Sequence, residues 1–375
     1  MAQKYQFVQG VFSNEFLQLK TTDNIYLKEL LEGVLFPSLE MYNASVGALS
    51  SLVAFSYDDS VANLKKLFGD NSFTEIGDLE VPPAKSTLDS WNSPQPLRRL
   101  GAANKMTLEV IKQMSSSQII GYQDSVYLAD RKQLIKIFFQ NMLTKAPAGR
   151  VDCLTNVDAN PFAFWNDESS MDTPRPNGQI TFDGDHDHYI LTDVSGTTDA
   201  DDLSELMGLV SEHEGMGGAQ LILWFRKNSA ELTAVKALTG YRPVEAVAPI
   251  LGSANPSYDS TGLVQALINS KRVLGDTAAI VGTYKEALVV ETPDMPQYYC
   301  LCTAYMGDNS PAAPLGWREH PQFKGLMMVN PTGENPIIGH NAQFRRYMSG
   351  YVNNRSAGAA MLCTHSAAWA EPSFT

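Results

Sequence analysis

Six histidines and four cysteines are the residues from which metal or nucleophilic chemistry would be built in this 375-residue chain. Their densest grouping is Asp183-Gly184-Asp185-His186-Asp187-His188. Asp183, Asp185 and Asp187 stand at positions 1, 3 and 5 of a calcium-loop pattern, which would offer carboxylate oxygens to a hard cation. The pattern then stops, because His188 stands where the turn glycine belongs and Val194 where the bidentate Glu belongs. His186 and His188 carry imidazoles of the kind that bind transition metals. Acidic residues in a turn ahead of a strand usually cap backbone N–H groups, so no metal ligand is assigned here. His213 lies between Glu212 and Glu214, neighbours that raise an imidazole pKa toward general-base use. No nucleophile is placed beside it by spacing, and a helix C-terminus is an ordinary place for His. Replacing Asp185→Asn and His188→Gln together is expected to leave bound metal unchanged.

Cys300 and Cys302 fall on a strand pattern, where alternation points both side chains to one face. A zinc site needs two further ligands, and neither Cys153 nor Cys363 has a partner at the required spacing. The reading is small buried hydrophobes. Four cysteines in a chain of this length make no disulfide framework, which suits a reducing cytoplasm. The chain contains no G-x-x-x-x-G-K-[ST], H-E-x-x-H or G-x-S-x-G, and no G-x-G-x-x-G follows a strand. No catalytic residue, cofactor or metal is therefore assigned, and the chain is read as a non-enzyme. The competing reading from another class is a cytoplasmic metal-dependent hydrolase built around Asp183–His188 and His213.

The elements that would position these residues come from composition and period. With 44% hydrophobic and 18% charged residues, the chain can bury a sizeable core, and its length suggests two to three domains. The net charge is −13, and most of the excess lies between Asp152 and Glu214, with 15 acidic residues against one basic residue, Arg175. That balance is a poor match for nucleic acid, whose binders show a basic stripe. It means a solvated surface, a cation site, or a face kept away from a polyanion. No run of 18 apolar residues exists, since Val46–Phe55 is broken by serines, so no membrane span is expected. The start, MAQKYQFVQGVFS, lacks the apolar region of a secretory signal.

Residues 24–50 read as helical, with Pro37 marking a break, and Asp59–Phe68 as a second short helix. Residues 69–104 hold four prolines and three glycines and read as an irregular segment, of a length usually kept for function or for embracing a partner. Residues 116–144 give the strongest helix pattern, with Tyr127, Leu134 and Phe138 on one stripe and Asp130, Arg131, Lys132 and Lys136 largely away from it. Asp199–Glu214 reads as a helix with an acidic start. Leu221–Phe225 reads as a buried strand and Ser229–Leu238 as a helix. Strand patterns follow at 278–290, 297–305, 324–329 and 357–364. Interleaving without regular βαβ spacing gives an α+β architecture.

Four stretches, in order, resemble the tailed-phage major capsid proteins, whose fold is shared with encapsulin shells and the herpesvirus capsid floor. The first is Asp185–Gly215, leading into LILWFRKNSAEL. The second is Gly282-Thr283-Tyr284-Lys285 followed by VVETPDMP, and the third PLGWREHPQFKGL with Arg318-Glu319. The fourth is RRYMSGYVNNRSAGAAMLCTHSAAWAEP, whose Asn354-Arg355-Ser356-Ala357-Gly358 is similar to that fold's closing strand pair. Together they span residues 185–372, about half the chain.

The resemblance implies an N-terminal arm and first helix over 1–45, an extended-loop region over 46–110, a peripheral domain with its spine helix over 111–199, an axial domain over 200–325, and closing strands of the peripheral domain over 326–375. It implies a non-enzymatic subunit of an icosahedral shell, arranged in hexamers and pentamers around double-stranded phage DNA. That shell would be found in the virion and assembled in the host bacterial cytoplasm. Scaffolding, portal and decoration proteins are the implied partners, with no membrane and no sequence-specific DNA contact. An encapsulin-type compartment is the alternative within the fold, although nothing in the sequence identifies a cargo groove. One member of the fold joins its subunits by a Lys–Asn isopeptide, which needs a carboxylate to take the Lys proton. Lys85 with Asn353 or Asn354 would be the candidates here. Lys85 reads instead as a solvated loop charge and the asparagines as turn or strand-edge residues, so uncrosslinked chains are expected.

Overall fold

The computed structural model describes residues 8–9, 17–57, 61–65, 90–106, 108–166, 186–192, 198–213, 215–243, 278–329, 340–364 and 368–374. Strand β1 (Val8–Gln9) precedes a helical run in three parts, α1 (Leu27–Leu30), a π-turn (Leu31–Leu35) and α2 (Phe36–Val53). Pro37 does not break this run as the sequence suggested. It sits in the first turn of α2, where its missing N–H has no partner to lose, and the widened turn before it relieves the clash of a proline ring with the preceding carbonyl.

Strands β2 (Ala54–Tyr57), β3 (Val61–Lys65), β4 (Ser90–Pro94) and β5 (Arg98–Met106) follow. Two expectations change here. The short helix over Asp59–Phe68 is a strand where it is described, because Val61–Lys65 pairs with β4. The segment 69–104 is not irregular throughout. Residues 69–89 lie outside the described residues, but β4 and β5 are regular. RRLGAANKM has weak strand propensity of its own, and it becomes a strand because β16, introduced below, offers it a nine-residue ladder from Met106↔His340 to Arg98↔Met348.

Helices α3 (Leu108–Gln113) and α4 (Ser116–Leu143) come next, α4 starting at a capping box in which Ser115 accepts from Gln118 N–H and Gln118 accepts from Ser115 N–H. The chain continues through β6 (Arg150–Val151), β7 (Asp158–Ala159), β8 (Tyr189–Leu191), α5 (Ala200–Ser211), β9 (Gln220–Arg226), α6 (Ala230–Ala237) and β10 (Tyr241–Pro243). It ends with β11 (Ala279–Tyr284), β12 (Ala287–Thr292), β13 (Tyr299–Tyr305), β14 (Leu315–Glu319), β15 (Met327–Val329), β16 (His340–Val352) and β17 (Gly358–Leu362). The strand pattern over 278–290 is a hairpin, since Tyr284 pairs with Ala287 and Lys285 turns at φ 49°, the left-handed conformation that a two-residue turn requires.

Two sheets carry the fold. A six-stranded sheet runs β1-β15-β16-β14-β2, with β5 also on β16. A seven-stranded sheet runs β10-β11-β12-β9-β13-β17-β8. The two exchange strands across residue 325, because β14 belongs to the first sheet and β17 lies inside the second. Helix α4 joins them. Phe138 meets Trp317 of β14 edge-on at 5.5 Å, and its neighbour Phe139 meets Trp224 of β9 at 5.9 Å. Alternation along β9 then divides the second sheet by face. Ile222 and Trp224 join the core shared with α4, while Leu223 and Phe225 join a second core with Leu206 and Val210 of α5 and Leu232 and Val235 of α6. Each such large side chain contributes roughly 1.5–3 kcal/mol by leaving water. Asp130 departs from its expected outward position, because a buried arginine of β16 pulls it inward.

Candidate functional site

The second core borders the chemistry-bearing residues. Asp199 caps α5 by accepting from Asp201 N–H (2.8 Å) and Asp202 N–H (3.0 Å), while Asp202 accepts from Asp199 N–H (3.1 Å). The helix delivers Glu212 and His213 at its far end, where Gly215 reverses the chain at φ 84°. Opposite, the extended residues before β8 present His186 and His188 on one face by alternation. Asp187 between them pairs with Lys145 and accepts from Tyr189 N–H (2.8 Å). The backbone of His188 is fixed on both sides, His188 N–H donating to Trp165 O and Ala360 N–H donating to His188 O, each at 2.8 Å.

These constraints bring three imidazoles tip to tip. Nε2 of His186 is 2.8 Å from Nε2 of His188 and 3.1 Å from Nε2 of His213, and the third side of the triangle is 2.9 Å. All three residues are buried, at 6%, 0% and 1% exposure. Glu212 Oε1 lies 3.8 Å from His186 Nε2 and accepts no hydrogen bond. Burial, with the neighbouring imidazoles, pushes the His188 pKa well down and that of His213 down to about 3, while burial raises that of Glu212. His188 Nδ1 lies 2.6 Å from the Gly358 carbonyl, which can only accept, so Nδ1 carries the proton and Nε2 keeps its lone pair. Gly358 must lack a side chain because a Cβ there would stand 2.3 Å from the Phe164 ring.

Sequence reading grouped Asp183–His188 with His213 only in the competing hydrolase reading, and assigned none of His186, His188 and His213 as a metal ligand. An H-x-H on extended backbone and an E-H at a helix end, 25 residues apart, match no zinc spacing. Asp183, Asp185 and Glu214 lie outside the described residues. Cys300, Cys302 and Cys363 are buried in the second core and burial pushes their thiols up, while Cys153 is exposed. Lys85 lies outside the described residues. Asn353 and Asn354 are buried and donate to the carbonyls of Pro311 and Ala313 (3.0 and 3.2 Å) and of Ala312 (3.1 Å), which closes the turn before β14.

Three buried cations, which the sequence did not single out for binding, tie distant segments together. Arg318 pairs with Asp152 at 2.5 Å and donates to Gln95 O at 2.9 Å. Asp152 also accepts from the N–H groups of Leu97, Leu154 and Thr155. Burial would raise its pKa, but these backbone donors and Arg318 outweigh burial and hold it at about 2. Arg346 of β16 reaches Asp130 of α4 at 2.8 Å and Glu319 of β14 at 3.4 Å, and Tyr42 of α2 donates to the same Asp130 at 2.8 Å. Arg355 donates to Ala163 O and Phe164 O (2.9 and 3.1 Å) and lies 4.3 Å over the Trp165 ring.

No protein-family model matches the sequence, and no curated protein does. Solved structures do match. A chain of Mycobacterium phage Patience superposes with a TM-score of 0.60 at 22% identity, over 97% of this chain and 95% of that one. The capsid asymmetric unit of cyanophage Pam1 matches at 0.44 and 10% identity over 84% and 89%. An encapsulin complex of Synechococcus elongatus matches at 0.43 and 10% identity over 85% and 87%. The two-sheet α+β architecture with its long joining helix is the tailed-phage major capsid fold.

Proposed function

We propose that this chain is the major capsid protein of a tailed phage and that its copies close into an icosahedral shell around double-stranded DNA. The observation that carries the reading is the match of 97% of this chain on 95% of the Patience chain at a TM-score of 0.60. The six-stranded sheet with α4 serves as the peripheral body, and the seven-stranded sheet with α5 and α6 as the axial one. In this reading the arm and the segment over 66–89 reach neighbouring subunits in hexamers and pentamers, which would offer a partner surface to its apolar Phe73, Ile76, Leu79 and Val81. Portal, scaffolding and decoration proteins would meet the finished or growing shell in the host cytoplasm. The acidic balance keeps the inner surface from holding the genome tightly. Among the described residues, no helix is long and apolar enough to cross a membrane. The buried, mutually directed histidines favour a structural role over hydrolysis, which needs an open coordination position.

The test is sedimentation with electron microscopy of the purified chain, any needed scaffold supplied. Wild type is expected as capsomers or closed particles. Replacing residues 66–89 by a short Gly/Ser linker, with the buried Gln95 and Leu97 left in place, is expected to keep the circular dichroism spectrum and lose stable shells. Wild type that sediments only as a monomer at high concentration would overturn the proposal. A loop-deleted chain that still closes normal shells would overturn the role given to the loop.

A further inference from the structure

The triangle of histidine nitrogens cannot be satisfied by protons alone. Each Nε2 presents either an N–H or a lone pair toward the centre. Among three nitrogens two must be alike, whatever the tautomers or charges, so at least one contact of 2.8–3.1 Å faces lone pair to lone pair or N–H to N–H. His188 already commits to a lone pair, because its other nitrogen donates to Gly358 O. A cation at the centre turns all three lone pairs into ligands and removes the conflict.

We infer that His186, His188 and His213, with Glu212 as fourth ligand, form a structural Zn(II)-class site that fastens the segment before β8 to the C-terminal end of α5. Nitrogens spaced as here lie about 1.7 Å from their common centre, so bonds of about 2.05 Å put the ion about 1.2 Å above their plane. Opening each edge by about 0.4 Å gives tetrahedral angles. Glu212 can complete the shell, because its Oε1 has no hydrogen-bond partner and already lies within 4.8 Å of every imidazole ligand atom. Three imidazoles with one carboxylate suit zinc over the harder cations, which prefer all-oxygen shells. The bond from His188 Nδ1–H to the Gly358 carbonyl is the outer partner that fixes a metal-binding imidazole, and it extends the clamp to β17. Four protein ligands and deep burial make the site closed, so its work is to hold structure. The inference does not depend on shell formation and replaces the expectation that the chain binds no metal.

The experiment is metal analysis of the full untagged chain, loaded with Zn(II) and then dialysed against metal-free buffer. About one Zn per chain is expected. His186→Gln, at the most accessible of the three histidines, is expected to retain less than a tenth of that, and the conservative Glu212→Gln to weaken Zn(II) binding roughly 10–100-fold. Co(II) added to chelator-treated wild type is expected to give the intense visible bands of a four-coordinate ion, a readout that needs no variant to fold. Wild type without stoichiometric zinc, a weak octahedral Co(II) spectrum, or undiminished zinc in folded His186→Gln would each overturn the inference.

Discussion

Replacing Asp152 by Asn isolates a single buried charge with a known surrounding. Asp152 joins Arg318 of β14 to the chain leaving the loop at Gln95–Leu97, and its pKa is held at about 2 against an ordinary 3.8. That depression corresponds to about 2.4 kcal/mol of stability at neutral pH. The variant loses it and leaves Arg318 buried without a counter-charge, which by experience with buried pairs costs about 3–5 kcal/mol. A chain of this length unfolds with an entropy of about 0.8 kcal/mol per degree, so the melting temperature should fall by about 3–6 °C at pH 7. The sign with pH follows from the direction of the shift. The carboxylate's contribution is complete above about pH 4 and is lost as pH falls through about 2, so the gap between wild type and variant should close over that interval. Scanning calorimetry at matched protein concentration and assembly state measures both. A gap below about 1 °C at pH 7, or one that persists undiminished at pH 2, would refute the assignment of this ion pair.

Arg346→Met alone should destabilise by about 3–5 kcal/mol, since it leaves Asp130 buried and uncompensated, whereas Arg346→Met with Asp130→Leu should recover most of the loss; denaturant melts of the two variants decide it. An unrecovered double variant would mean that Glu319 and Tyr42, which contact the pair, depend on it for more than charge. For the thiols, the native unassembled chain should take up at most one equivalent of a thiol reagent at Cys153, and four after unfolding, because Cys300, Cys302 and Cys363 are at most 2% exposed. Rapid labelling of a second cysteine would contradict the packing of the second core.

Legibility in the sequence followed how local the cause was. Helix α4 was readable because its apolar stripe, its Ser115 cap and its end all lie within 115–144. Cys300 and Cys302 share a face because strand alternation alone decides it. By contrast, β5 is a strand through pairing with β16 some 240 residues away, and no propensity within RRLGAANKM foretells that. Pro37 misled because a proline that ends one helix and one that starts the next look alike until the turn before it is seen to widen. The histidine triangle was invisible for a similar reason. Each residue was noted, but the distance between His188 and His213 is set by how α5 packs on the second sheet.

The buried charges and the histidine triangle share a position in the fold, and it bears on how such a subunit keeps its shape. Arg318 and Asp152 hold the root of the loop, Arg346 and Asp130 hold α2 and α4 to β14 and β16, and Arg355 holds residues 163–164 beside β17. With the inferred ion bound, the triangle would hold the segment before β8 to the end of α5. Apolar packing adapts to small shifts and rotations by changing rotamers, whereas a bidentate or tetrahedral contact does not. A buried ion pair contributes little over an apolar pair of equal volume. What these contacts add is register at the junctions between segments distant in sequence. In the shell proposed above, every copy would have to meet the same partner surfaces, and contacts that fix register at these junctions would serve that need.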